Sequence, residues 1–207
     1  MSEGKRFFRK NSDYKALRRQ LCRTFGKEKT ARIFQQAAEN LDMLHAQFPD
    51  IPKGERSHTD GYIFPRAALY RALCSESGES EAINIIEGFV GEQGKKMGAM
   101  LRKLTALPFM DRIFLRIFTS MAKNMFGENN GFRQTFHPSP KGQVRFDITE
   151  CTYCRWCRRC GCPELIHSFC ISDTACFGSL TGVSFERLQT LENGELCDFC
   201  LTLDKSR

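Results

Sequence analysis

Apolar positions recur at helical spacing through the first part of the chain and give way to strict alternation near residue 143. From Asp13 to about His45, Leu17, Leu21, Phe25, Ile33, Phe34, Ala37, Leu41 and Leu44 follow the helical repeat, interrupted at Gly26. The spacing predicts two helices with a short joint. The stretch FPDIPKGERSHTDGYIFP is rich in Pro, Gly and Asp and predicts a loop, on which His58 reads as a solvated side chain. After Pro65, RAALYRALCSES predicts a helix whose first turn tolerates the missing proline N–H. Gly78 ends it, and Ser77 or Ser80 caps a following helix through Ile83, Ile86, Phe89 and Val90.

Between Leu101 and Phe126 the apolar residues Leu104, Leu107, Met110, Ile113, Phe114, Ile117, Phe118, Met121 and Met125 predict one broad stripe, with Arg112, Arg116 and Lys123 opposite. Pro108 starts or kinks that helix. Packing on the core is the ordinary use of such a stripe, and the Met and Phe content also suits a pocket wall or a membrane surface. GENNGF and HPSPKG then mark turns, with His137 read as a satisfied or solvated histidine. QVRFDITE alternates Val144, Phe146 and Ile148 with polar residues, a half-buried strand. A helix beginning at Pro163 and Glu164 runs through Leu165, Ile166, Phe169 and Cys170 to about Gly178. VSFERLQTL and LCDFCLTL read as two strands joined by a tight turn at Asn193-Gly194. The fold class that results is α+β, a helical N-terminal part followed by a small antiparallel sheet with packed helices. A basic helical region over 1–59 and an α+β region over 60–207 are expected to form one continuous globular unit.

Composition narrows the picture. The chain has 207 residues, enough for one well-filled domain or a domain with a helical extension. No apolar run reaches membrane-spanning length, and MSEGKRFFRKNSDYK breaks into charge before an apolar core can form. A cytoplasmic, reducing location is therefore the expectation, and the odd total of eleven cysteines points to thiols, metal ligation or catalysis rather than disulfides. Of the formal net charge of +7, much lies between Lys5 and Arg32. A basic arm of this kind suits nucleic acid or anionic lipid, but a solvated helix face is its more common use, and neither aromatic interleaving nor a nucleic-acid motif accompanies it.

Six cysteines fall between Cys151 and Cys170. Cys151, Cys154, Cys157 and Cys160 recur every third residue, which on a helix makes a stripe of thiols, and Cys162 follows Gly161. Thiolates so placed suit an iron-sulfur cluster or zinc, with Cys197 among the ligands available from elsewhere. One straight helix cannot surround an ion, so a metal site requires the break that Gly161 and Pro163 offer. The competing reading is a set of reduced thiols filling the core as small hydrophobes.

FDITEC, GCPELIHSFCISD and FERLQTLENGELCDF together resemble the L-2-amino-thiazoline-4-carboxylic acid hydrolase family, and YIFPRAALYRAL and FGENNGF are similar to it as well. The resemblance spans the chain from about Asp60. It implies an α+β fold and hydrolytic opening of a cyclic isothiourea to N-carbamoyl-L-cysteine. Its family-like polar positions here are Cys151, Glu164, Cys170, Asp173, Arg187, Thr190, Cys197 and Asp198, whereas Cys154, Cys157, Cys160 and Cys162 look like additions. In the chemistry so implied, Cys170 is the candidate nucleophile and Asp173, three residues on, the base that orients water. His167 pairs with Cys170 as base or ligand. Arg187 clamps a substrate carboxylate with its planar fork, and Thr190 is the other candidate substrate-binding residue. Cys197 and Asp198 point to opposite faces of a strand, so at most one serves the site directly. The expected partner is a small-molecule substrate, with a homodimer left open. A metal or cluster module and a small-molecule sensor are the alternatives.

Overall fold

The computed structural model describes residues 1–204. They group into two compact units, residues 1–89 with 156–165 (unit 1) and residues 90–155 with 166 onward (unit 2).

Unit 1 is helical. α1 (Glu3–Lys10) is followed by α2 (Ser12–Gln47), whose first amides are capped by the Asn11 side chain. The joint expected at Gly26 is real, since φ is 80° there and the helix breaks. Leu17, Leu21, Ile33, Phe34, Ala37, Leu41 and Leu44 are all buried, as their spacing predicts. The periodicity does not mark helix α1, because its two aromatics, Phe7 and Phe8, are adjacent and show no i, i+3 or i+4 repeat. It is held by close approach: Gly4 sits against the Ala38 carbonyl where any side chain would overlap it, and its N–H donates to Asp42 Oδ1 at 2.8 Å.

The predicted loop at 48–65 is corrected over its second half. A short α3 (Arg56–His58), a π-turn (Thr59–Ile63) and α4 (Phe64–Ser77) run on without a break. His58 is buried rather than solvated. Gly61 needs no left-handed backbone, so the residue that signals a loop in the sequence is accommodated in a helical turn. α4 starts with Pro65 in its first turn and stops at Gly78 (φ 83°), both as expected. Asn40 Nδ2 donates to the Ala68 carbonyl and ties α2 to α4. The C-terminal part of α7 (Thr152–Arg159) supplies Trp156, whose ring lies 5.3 Å from Phe48 and 5.7 Å from Phe64.

α5 (Glu79–Thr105) carries the helix read at Ile83–Val90 on into the start of the stripe read from Leu101. Its glycines serve packing. In unit 2 a Cβ at Gly94 would stand 2.8 Å from Ala175 Cβ and from the Ser172 carbonyl, and one at Gly98 would stand 2.6 Å from the Cys176 carbonyl. The facing residues belong to α8 (Ile166–Phe177). After Phe109, itself left-handed at φ 64°, α6 spans Met110–Met125, so the chain restarts just beyond Pro108. The single apolar stripe expected there is corrected: Phe114, Leu115, Phe118 and Ala122 face the core, while Ile113, Ile117 and Met121 are exposed. Consecutive apolar residues in a helix necessarily point in different directions, and IFL and IF straddle two faces.

The sheet has four strands, β1 (Arg133–His137), β2 (Gln143–Glu150), β3 (Val183–Glu186) and β4 (Cys197–Leu203), in the order β1-β2-β4-β3 and antiparallel throughout. Phe146 stands opposite Phe136 on one side and Phe199 on the other, with ring centroids 4.9 and 4.8 Å apart. α6 covers this aromatic row and closes the core. The predicted tight hairpin is corrected, since β3 stops at Glu186 and residues 187–196 form a longer connection. Gly194 does not take the positive φ that a two-residue hairpin turn demands. The fold is α+β. No helix among the described residues is long and apolar enough to cross a membrane.

Candidate functional site

Four elements of unit 2, β2, the start of α7, α8 and β4, bring polar groups together. β2 ends at Glu150 and delivers Cys151, and the start of α7 is fixed by Thr152, whose hydroxyl donates to the Asn130 carbonyl at 2.7 Å. Cys154 follows one residue short of a full turn later. α8 carries Cys170, Asp173 and Thr174 on one face, and β4 carries Cys197 and Asp198.

Arg187, just past β3, ties α8 to β4. Its side chain is 6% exposed. Nη1 donates to Asp173 Oδ2 at 3.0 Å, and Nη2 donates to the Cys170 carbonyl at 2.8 Å and to Thr174 Oγ1 at 3.3 Å. The guanidinium carbon also lies 5.3 Å from the centre of the Phe199 ring. One arm of the fork thus holds a carboxylate, that of Asp173, and the other holds the backbone of α8 at Cys170. Asp173 itself is 32% exposed, so water reaches a side chain whose partner is enclosed.

The thiols around this pair are neutral at physiological pH. Burial pushes Cys170 up to about 12 and outweighs the opposing pull of Arg187. Cys197 is raised by burial too, although the Leu191 N–H donates to its sulfur at 3.2 Å. Cys151 is held well above the thiol range by its hydrogen bond with Cys154, with burial next. Cys154 and Cys197 both act electrostatically on Cys170, which makes Cys151, Cys154, Cys170 and Cys197 neighbours in unit 2. Cys154, read from the sequence as an addition, is a member of this group.

Other expected site residues are occupied differently. His167 Nδ1 lies 2.7 Å from Glu192 Oε2, so its partner is that glutamate and not Cys170. Asp198 Oδ1 accepts the N–H groups of Leu188 and Gln189 at 2.9 and 2.7 Å, which shapes the connection after β3. The Thr190 carbonyl accepts the N–H groups of Asn193 and Gly194 within that connection. Thr174 and Glu192 were not singled out in the sequence. Thr174 was within reach of helical spacing, one turn beyond Cys170, whereas Glu192 lies on a loop with no pattern to locate it.

The candidate metal ligands divide. Cys151, Cys154 and Cys197 belong to unit 2, while Cys157, Cys160 and Cys162 are buried in unit 1. Gly161 (φ 64°) and a 3-10 turn over Pro163–Leu165 supply the expected break. Burial pushes Cys160 up to about 11 and raises Cys162 against a hydrogen bond from Arg71. Among the described residues no group of three or more His, Cys, Asp or Glu is disposed to hold a metal ion.

A family model described as L-2-amino-thiazoline-4-carboxylic acid hydrolase matches residues 56–201, a span that includes every residue of this site. No curated protein and no solved structure matches the chain.

Proposed function

The chain belongs to the L-2-amino-thiazoline-4-carboxylic acid hydrolase family, and from that premise we propose that the Asp173 site hydrolyses a cyclic isothiourea, L-2-amino-thiazoline-4-carboxylate or a close relative, to N-carbamoyl-L-cysteine or the corresponding product. The observation that carries the reading is Asp173, open to water on one side and gripped by the enclosed Arg187 at 3.0 Å.

The reaction adds one water across the ring carbon that bears sulfur and nitrogen. Water oxygen bonds to that carbon and one of its protons goes to the ring nitrogen. The carbon–sulfur bond then breaks, the remaining hydroxyl proton passes to sulfur, and the carbon becomes a urea-type carbonyl. Asp173 is the base that takes the first proton from the attacking water and passes it to the ring nitrogen, and then takes the remaining hydroxyl proton and delivers it to the departing sulfur. Arg187 is a positioning residue: it fixes the Asp173 carboxylate against α8 and is not free to serve as the substrate clamp. Because burial keeps Cys170 and Cys197 protonated, direct attack by water is favoured over a thiolate nucleophile. The two thiols instead form a polarisable wall that suits a sulfur-containing ring.

The test is turnover of L-2-amino-thiazoline-4-carboxylate by the full chain in 18O-labelled water, with mass detection of the product. Asp173→Asn is expected to lose about a hundredfold or more in rate, the range of a general base, while Cys170→Ser keeps turnover within about tenfold. No turnover by the unaltered protein sinks the reading. Loss in Cys170→Ser, with a trapped adduct on Cys170, replaces direct water attack by covalent catalysis.

A further inference from the structure

In unit 2 the C-terminal half of α5, the turn at 106–109 and the length of α6 leave large apolar side chains bare. Met97, Met100 and Leu104 on α5, Leu107 and Phe109 in the turn, and Ile113, Ile117 and Met121 on α6 are all exposed, with Phe109 at 71% and Ile117 at 59%. These are not stray positions. On α6, Ile113, Ile117 and Met121 recur every fourth residue and make a continuous strip, distinct from the core face of Phe114, Leu115, Phe118 and Ala122. Contiguous bare apolar surface of this kind marks an interaction site.

Charge identifies the occupant. Between Gln93 and Gly127 stand Lys95, Lys96, Arg102, Lys103, Arg112, Arg116 and Lys123 against one acid, Asp111, which is buried. Only Lys95 enters an ion pair among the described residues, with Glu92. On α6 Arg112 and Arg116 lie on a third face that flanks the bare strip, and Lys123 on that face sets its ammonium over the Phe136 ring. An apolar strip bordered by long cationic side chains is the arrangement of a helix lying in a lipid headgroup layer, where the chains bury and the cations meet phosphate. A second copy of the chain would set the same cations against each other, and a nucleic acid would leave the Met, Ile and Leu side chains without a partner.

We propose that the α5–α6 segment docks the protein on the surface of an anionic lipid bilayer, with Phe109 and the Ile113–Ile117–Met121 strip entering the headgroup layer. The proposal is independent of the hydrolytic reading, since none of these residues belongs to the Asp173 site.

The experiment is cosedimentation of the full chain with vesicles of phosphatidylcholine alone or mixed with phosphatidylglycerol, at low and high salt, with light scattering of the free protein. Binding is expected only with phosphatidylglycerol, weaker in high salt. Ile117→Ser with Phe109→Gly is expected to abolish it while circular dichroism and thermal unfolding stay native. Each of Arg112→Gln and Arg116→Gln is expected to weaken partitioning about fivefold. Three results overturn the proposal: no binding to either vesicle, equal binding to both, or a dimer of the free protein that Ile117→Ser converts to monomer.

Discussion

Trp156 donates its indole N–H to Glu55 Oε2 at 2.5 Å, joining residues 101 positions apart in the sequence within the core of unit 1. The ring is fully enclosed by Phe48, Phe64 and the Arg159 guanidinium, 4.2 Å above it. Glu55→Leu leaves a buried donor unsatisfied and is expected to cost about 1–3 kcal/mol, whereas Glu55→Gln retains an acceptor and costs less. Urea unfolding measures the difference. Trp156 is the single tryptophan, so its fluorescence reports on this core alone. Equal losses in both variants contradict the hydrogen bond as the cause.

Arg187→Lys removes the fork that holds Asp173, Thr174 and the Cys170 carbonyl together. The expected cost is about 1–3 kcal/mol, because donors to part-buried acceptors are lost while the charge stays enclosed. Asp173→Asn is expected to cost less, since its side chain is partly solvated. Thermal unfolding ranks the two. The reverse ranking shows that Asp173 holds the site through contacts besides its ion pair with Arg187.

Alkaline pH is expected to destabilise the protein through its thiols. Burial raises Cys170 to about 12 and Cys160 and Cys176 to about 11, whereas an unfolded thiol ionises near about 8.5. Below that pH both states hold the proton and the contribution is complete. As pH rises toward 11 the unfolded chain releases protons that the native state retains, so stability falls. Melting temperature followed from pH 7 upward, in units of about one, tests this. Cys170→Ala is expected to show a shallower alkaline decline, and an unchanged decline assigns the effect to other groups.

Gly94→Ala and Gly98→Ala pit two effects against each other. Alanine favours helix over glycine by about 1 kcal/mol. Here the added carbon meets backbone and Cβ atoms of α8 at 2.6–2.8 Å, and overpacking of this kind costs about 1–3 kcal/mol. Net destabilisation is expected, together with reduced turnover, because α8 carries Cys170 and Asp173. Gly88→Ala, with open space around it, is the control and is expected to be neutral or stabilising.

Local rules read from the sequence located much of this protein. Gly26 and Gly78 break helices because their positive φ suits glycine, Pro65 opens α4 because its nitrogen needs no partner, and the alternation in QVRFDITE fixes which face of β2 is buried. The motifs from Phe146 onward were enough to identify the family that the match over 56–201 bears out. Periodicity reports only that a side chain is apolar and faces some direction, so it merged the core face of α6 with the bare strip of Ile113, Ile117 and Met121. Spacing likewise put Cys151, Cys154, Cys157 and Cys160 on one stripe, whereas packing assigns the first two to unit 2 and the last two to unit 1. His58 and Arg187 make the same point. Burial and partner choice depend on residues distant in the chain, here on what surrounds a helical turn and on Asp173 waiting one strand away, and only the tertiary structure decides them.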